Sequence, residues 1–127
     1  MNTTWFFTGL TILLAMVMIG MPSQASPPPL LITIESGSPY YVPVTATVAA
    51  GTPVRWENPT PSPHTVTHMG CVEDGDRCWF DSGTISPDGH FTVPTLPPGR
   101  YPYYCQLHPI MRGLLVVTDA ASTPSSL

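Results

Sequence analysis

The stretch "YYCQLHPIMRG", Tyr103 to Gly113, carries a thiol, an imidazole and a thioether at spacings of three residues. These groups belong to Cys105, His108 and Met111. The β-rich run "GRYPY" leads into the start of the stretch at Tyr103, and the apolar run "GLLVV" overlaps its end and continues beyond it. We therefore expect a tight loop between two strands, with Cys105 at the end of the first strand and three ligating side chains able to converge on one point.

The donor types in this loop indicate a soft, copper-like metal. A thiolate, a thioether and an imidazole are donors that such metals prefer, and a type 1 copper site combines a thiolate and two imidazoles with a long axial methionine. Taken singly, Cys105 is more often a buried structural thiol and Met111 more often a core residue. Their joint spacing with His108 favours a metal site instead.

A type 1 site needs a second histidine, and the chain offers three others. His64 is the best candidate, because the proline-rich loop "NPTPSP" precedes it and restricts its backbone. His68 lies on the same face of the predicted strand "HTVTH" but about 13 Å further along, too far to reach the same ion without a bend. His90 follows a turn and is predicted to be solvated. The predicted ligands are His64, Cys105, His108 and Met111.

The rest of the chain reads as short β-rich runs separated by turn residues. "LLITIE", "YYVPVTATVAAGTPVRWEN", "HTVTH", "GRYPYYC" and "GLLVVT" are strand candidates, and "PDG", Pro87 to Gly89, predicts a hairpin turn. Trp56 and Tyr103 alternate onto the inward face and are predicted core residues. Seven or eight short strands without a sustained helical period predict an all-β sandwich or barrel.

The N-terminal segment is predicted to be a secretory signal. The apolar run Trp5 to Met21 is followed by "PSQAS", in which Ser23 and Ala25 have the spacing of a cleavage site. The alternative is a retained membrane anchor, since the run is near the lower length limit for a span. We expect residues 1–25 to be a signal peptide, 26–29 a linker, 30–119 one domain and 120–127 a flexible tail. The mature protein would then be periplasmic or secreted.

Two further cysteines bracket the polar loop "CVEDGDRC". In an exported protein the default interpretation is a disulfide between Cys71 and Cys78, while a zinc site is the weaker alternative because no second cysteine pair is present. This pairing leaves Cys105 as an unprotected thiol, which a bound metal would occupy. The acidic residues of the loop are most simply solvated.

Composition excludes some partners. The net charge is −4, from eight acidic residues against four arginines, and lysine is absent. Nucleic acid is therefore not an expected partner.

The sequence resembles the cupredoxins, the type 1 blue copper family. The pattern G-x-Y-x-Y-x-C-x2-H-x2-M is formed by Gly99, Tyr101, Tyr103, Cys105, His108 and Met111, with Asn58 and "PH" at Pro63–His64 upstream. Within the amicyanin-like and plastocyanin-like small electron carriers, the short ligand loop resembles that of amicyanin more than that of plastocyanin, whose loop is longer. The resemblance implies a Greek-key β-sandwich and one copper ion, with Met111 as the axial ligand and His64, Cys105 and His108 as the equatorial ones.

The resemblance also assigns roles around the ligands. Asn58 matches a family asparagine that ties the two ligand loops together by hydrogen bonds. Thr65 stands where the family usually has asparagine, which leaves hydrogen bonding there open. Leu107 replaces a typical proline, which could free a backbone N–H toward the Cys105 sulfur.

The function implied is single-electron transfer, because four protein ligands leave no open position for a substrate. His108 should expose one ring edge, and Leu107, Pro109 and Ile110 around it should form the docking surface for redox partners that bind weakly. We expect a monomer without membrane contact after cleavage. Copper sequestration or delivery, an enzyme subunit, and a sandwich that binds no metal are the alternatives.

Overall fold

The structure is a computed structural model that describes residues 15–23, 25, 27–93 and 95–120. Its eight strands form two four-stranded sheets, which confirms the predicted all-β sandwich. The strands are β1 Leu30–Ile34, β2 Tyr41–Val42, β3 Thr45–Ala49, β4 Val54–Glu57, β5 Thr67–His68, β6 His90–Val93, β7 Gly99–Tyr104 and β8 Arg112–Thr118. Most of the predicted signal peptide and nearly all of the predicted tail lie outside the described residues. Within the described ranges no helix has the length and apolarity needed to cross a membrane.

The two sheets are built from strands that are not consecutive in the chain. One sheet has the order β2-β1-β4-β6 and the other the order β3-β8-β7-β5. The pairs β1–β4 and β3–β8 are parallel, and the remaining neighbours are antiparallel. The chain therefore passes repeatedly from one sheet to the other and closes around a single core.

The core lies between the sheets, where period-two alternation directs every second side chain inward. Trp56 and Tyr103 are both buried, as predicted, and their rings meet edge to face at a centroid distance of 5.4 Å. Tyr41 packs on the other side of Tyr103, at 4.8 Å. A buried aromatic of this size contributes roughly 4–6 kcal/mol of transfer free energy, so these rings dominate the packing beside the metal-ligand loop.

One local prediction holds in part and another was wrong. The run "HTVTH" forms a strand at Thr67–His68 alone, because His64 instead makes an isolated bridge with Ile85. The turn before β6 does exist, with the Gly89 N–H donating to the Ser86 carbonyl over 2.8 Å. It does not close a hairpin, because β6 pairs with β4 while Ile85 pairs with His64.

Candidate metal centre

The ligand loop connects β7 to β8 and is closed by its own backbone. The Cys105 N–H donates to the Met111 carbonyl over 3.1 Å, and the Met111 N–H donates to the His108 carbonyl over 2.9 Å. These bonds join the two ends of the loop and fold its middle back. Cys105 and Met111 are buried, while His108 is exposed.

His64 reaches the same place from the other side of the fold. Its N–H donates to the Ile85 carbonyl over 3.1 Å, and its carbonyl accepts from the Ile85 N–H over 2.7 Å. This reciprocal bridge fixes the backbone directly after the proline-rich loop. The imidazole is consequently buried and faces Cys105.

The three strongest donors converge as a metal requires. The Cys105 Sγ lies 4.0 Å from Nδ1 of His64 and 3.8 Å from Nδ1 of His108, and the ligating atoms all lie within 4.8 Å of one another. Typical metal–thiolate and metal–imidazole bonds in a trigonal arrangement would separate sulfur and nitrogen by about 3.8 Å. The observed spacing therefore fits one ion between them.

Met111 completes the set that the sequence predicts. It lines a cavity of about 260 Å³ together with His64 and His108. Ser36, Tyr40, Ser62 and Ile110 form the rest of the cavity wall. His64, Cys105, His108 and Met111 offer the donors of a type 1 copper site, so together they form a site that fits one copper ion.

Hydrogen bonds fix which nitrogen of His64 carries its proton. The Thr60 Oγ1 lies 2.9 Å from His64 Nε2, and its own proton goes to Asn58 Oδ1 at 2.6 Å or the Ser62 carbonyl at 3.0 Å. Both of those oxygens are acceptors without a proton to give, so Thr60 must accept from His64 Nε2–H. Nδ1 is then the unprotonated nitrogen, and it is the one that faces the Cys105 sulfur.

Asn58 holds this arrangement in place from behind. Its Nδ2 donates to the carbonyls of Ser62 and Ile85 over 2.9 and 3.0 Å, and its Oδ1 also accepts from the Thr60 N–H over 3.1 Å. These contacts settle the orientation of the amide and lock the proline-rich loop. Burial, and secondarily the charge of His108, lower the pKa of His64. His64 therefore remains a neutral ligand at neutral pH.

The two ligand segments are joined by Thr65 rather than by Asn58. The Thr65 N–H donates to the Cys105 Sγ over 3.2 Å, and its Oγ1 accepts from the Gln106 N–H over 2.8 Å. Among the described residues, the hydrogen-bond partners of Asn58 lie within residues 60–89 and none lies in the loop of Cys105 and His108, so the linking role expected for Asn58 is not observed. The Thr65 hydroxyl thus provides a hydrogen bond where asparagine was the expected residue. No bond from the Leu107 amide to the sulfur occurs in the part of the chain that the structure describes.

The residues next to His108 in the loop are apolar and exposed. Leu107 is 49% exposed and Ile110 is 74% exposed, and Pro109 between His108 and Ile110 is exposed as well. The predicted docking residues therefore surround the accessible ligand.

The other predicted residues lie away from this group. A disulfide joins Cys71 to Cys78, at a Cα separation of 4.1 Å. His68 is buried and accepts a hydrogen bond from the Trp79 N–H over 3.3 Å, whereas His90 is exposed at the start of β6. Neither histidine joins the three-residue ligand group.

Sequence reasoning missed Thr60 and Tyr41. Thr60 has a single sequence signal, a hydroxyl residue within a proline-rich loop. The Tyr41 hydroxyl donates to the Thr65 carbonyl over 2.8 Å, and burial raises the pKa of that phenol, so it stays protonated and acts as a donor. Tyr41 lies on β2, far from the ligands in the sequence, so no local sequence pattern indicates its role.

Comparison with known proteins agrees with this geometry. The sequence model of the cupredoxin-like domain matches residues 9–117. A purple cupredoxin from Nitrosopumilus maritimus is 25% identical, with a TM-score of 0.59 over 70% of this chain and 99% of that one. A mutant amicyanin in its reduced state is 26% identical, with a TM-score of 0.60 over 71% of this chain and 82% of that one. A Cu(I) form of another amicyanin mutant shares the fold at 24% identity, with a TM-score of 0.62 over 75% of this chain and 87% of that one.

Proposed function

The chain belongs to the cupredoxin-like domain family, and from that membership together with its donor set we propose that it is an exported protein that carries single electrons on one copper ion. The observation that carries the proposal is the convergence of the Nδ1 atoms of His64 and His108 on a buried thiol. His64, Cys105, His108 and Met111 would hold the ion. A copper ion held by this set supplies one-electron redox chemistry between Cu(I) and Cu(II).

The protein's own contribution is a rigid and mostly buried ligand set. The bridge between His64 and Ile85 fixes one ligand, and the closed loop fixes the others. Because the backbone around every ligand is hydrogen bonded, little rearrangement would accompany a change in oxidation state. Three of the four ligand side chains are buried, which limits the access of a substrate to the site. Electron transfer is therefore favoured over catalysis.

Electrons would enter and leave through the exposed ring of His108. The apolar surface of Leu107, Pro109 and Ile110 around it suits weak, short-lived docking of a redox donor and a redox acceptor. In this proposal the chain is cleaved after Ala25, and the mature protein is a monomer with one domain of residues 30–119. The disulfide suits the periplasmic or secreted location of such a protein.

The test is a titration of the purified protein with Cu(II), followed by visible spectroscopy. We expect an intense blue or purple band that saturates at one equivalent and is lost in Cys105→Ser. His108→Asn should perturb the band, whereas His90→Asn, which changes an equally exposed histidine outside the site, should leave it unchanged. A weak band that survives Cys105→Ser would contradict the proposal.

A second measurement separates electron transfer from copper sequestration or delivery. The oxidised and reduced forms are mixed, and the self-exchange rate and the transfer of copper to a chelator are followed. Rapid self-exchange with slow copper loss supports the electron carrier. Rapid copper loss with slow self-exchange would favour sequestration or delivery.

A further inference from the structure

A row of hydroxyl groups runs from the ligand loop to a surface carboxylate. The Gln106 N–H donates to Thr65 Oγ1 over 2.8 Å, Thr65 Oγ1 lies 3.0 Å from Thr67 Oγ1, and Thr67 Oγ1 donates to Asp81 Oδ1 over 3.0 Å. Thr65 and Thr67 are buried, while Asp81 is exposed. The row therefore connects solvent to the residue that follows Cys105.

The direction of every bond in this row is set at its surface end. An ionised carboxylate can only accept, so the Thr67 hydroxyl gives its proton to Asp81 and must accept from Thr65. Thr65 Oγ1 then has its lone pairs free for the Gln106 N–H. Aligned hydrogen bonds of this kind strengthen one another in a low-dielectric interior.

Asp81 is itself held firmly. Its backbone forms an isolated bridge with Thr67, and its Oδ1 also accepts from the Gly83 N–H over 3.1 Å. Gly83 adopts a left-handed backbone conformation, with φ of 62°, which the turn behind the carboxylate requires. The end of the row is thus a fixed acceptor rather than a freely rotating surface side chain.

We propose that Asp81 is a positioning residue for the metal centre, acting through Thr67 and Thr65 on the segment that contains Cys105. Thr65 donates its N–H to the Cys105 sulfur and accepts the next amide of the loop with its hydroxyl, so its placement sets both contacts. Hydrogen bonding around the cysteine sulfur is one of the factors that tune the potential of a type 1 site. The influence on the potential rests on the proposed electron-transfer function, whereas the influence on the loop does not.

The loop is tested in the protein without copper, by hydrogen exchange of the Gln106 amide. Thr67→Val removes the hydroxyl at nearly constant volume, and Asp81→Ala removes the acceptor. Losing one satisfied hydrogen bond in a buried chain should accelerate exchange of this amide by roughly tenfold. Thr67→Ser and Asp81→Asn keep a hydroxyl and an acceptor, and should exchange at the rate of the unmodified protein. Unchanged exchange in Thr67→Val, or equal acceleration in Thr67→Ser, would overturn the proposal.

The same variants loaded with copper are then examined by voltammetry. A weaker N–H contact to the thiolate should shift the reduction potential of Thr67→Val and Asp81→Ala to more negative values, with Thr67→Ser close to the unmodified protein. Faster Gln106 exchange without any shift in potential would overturn the positioning role at the metal. Failure of every form to bind copper would refute the proposed function, and the exchange data would still decide whether Asp81 orders the loop.

Discussion

Replacing Thr60 by valine should weaken copper binding without changing any ligand. Valine has nearly the shape of threonine but cannot accept the proton of His64 Nε2, which lies 2.9 Å from the threonine oxygen. In the protein without copper, the imidazole can relax by changing its tautomer. With the metal bound, Nδ1 is committed to the ion and the buried Nε2–H has no acceptor.

The size of this effect follows from the desolvation of one buried donor. Leaving such a group unsatisfied costs about 1–3 kcal/mol, which corresponds to roughly a 5- to 150-fold loss in affinity. The range agrees with the roughly 10- to 100-fold losses usual for partners that orient metal-bound histidines. Affinity is measured by competition with a chelator of known affinity. An affinity for Thr60→Val within twofold of the unmodified protein would refute the tautomer argument, as would an equal loss in Thr60→Ser, which retains the hydroxyl.

Three other changes test the packing and the titration behaviour. Tyr103→Phe removes a buried hydroxyl that has no partner among the described residues, and should raise the free energy of unfolding by about 1 kcal/mol in urea titrations. Gly113→Ala places a methyl group into the Tyr103 ring and hydroxyl, and should lower the free energy of unfolding by roughly 1–3 kcal/mol. His68 has a pKa that burial lowers from the usual 6.5, so the folded protein binds fewer protons there than the unfolded chain. The contribution of His68 to the free energy of unfolding should therefore be fully present above pH 6.5 and decline as the pH falls below it. His68→Gln should reduce that decline in thermal melts recorded at several pH values.

Two of these changes have a matched control. Gly37→Ala adds a methyl group where no other atom lies within 4 Å, and should leave the free energy of unfolding nearly unchanged. His90→Gln alters an exposed histidine, so its stability should keep the pH dependence of the unmodified protein. Loss of stability in Tyr103→Phe would show that the hydroxyl has a partner, such as a bound water. A pH dependence retained in His68→Gln would show that other groups cause it.

The ligand set could be predicted because its information is local. Cys105, His108 and Met111 lie on one loop, so their spacing alone indicates convergence. His64 was identified through the prolines before it, and its burial opposite Cys105 agrees with that choice. The alternation of apolar residues likewise sufficed for the sandwich, since every second residue of a half-buried strand must face the core.

The supporting hydrogen bonds could not be predicted, because they depend on which segments meet in space. "HTVTH" alternates as a strand does, yet the N–H of Val66 donates to the Ser82 side chain over 2.8 Å and not to a neighbouring strand. Thr65 took the linking role expected of Asn58 because its hydroxyl faces the Gln106 amide. A threonine carries no signal for such a role until the position of its partner is known.

His64 and Cys105 face each other across the site, and this has a consequence for unfolding. The two residues are 41 positions apart in the chain. A metal ion bound by both residues would act as a reversible cross-link. Closing a loop of that length reduces the entropy of the unfolded chain by an amount worth about 4 kcal/mol at room temperature. Binding of the ion would thus stabilise the folded protein in two ways, through the metal–ligand bonds and through the restriction of the unfolded chain. The disulfide between Cys71 and Cys78 lies inside the same loop, so a domain of modest core size would be cross-linked twice within one region of its sequence.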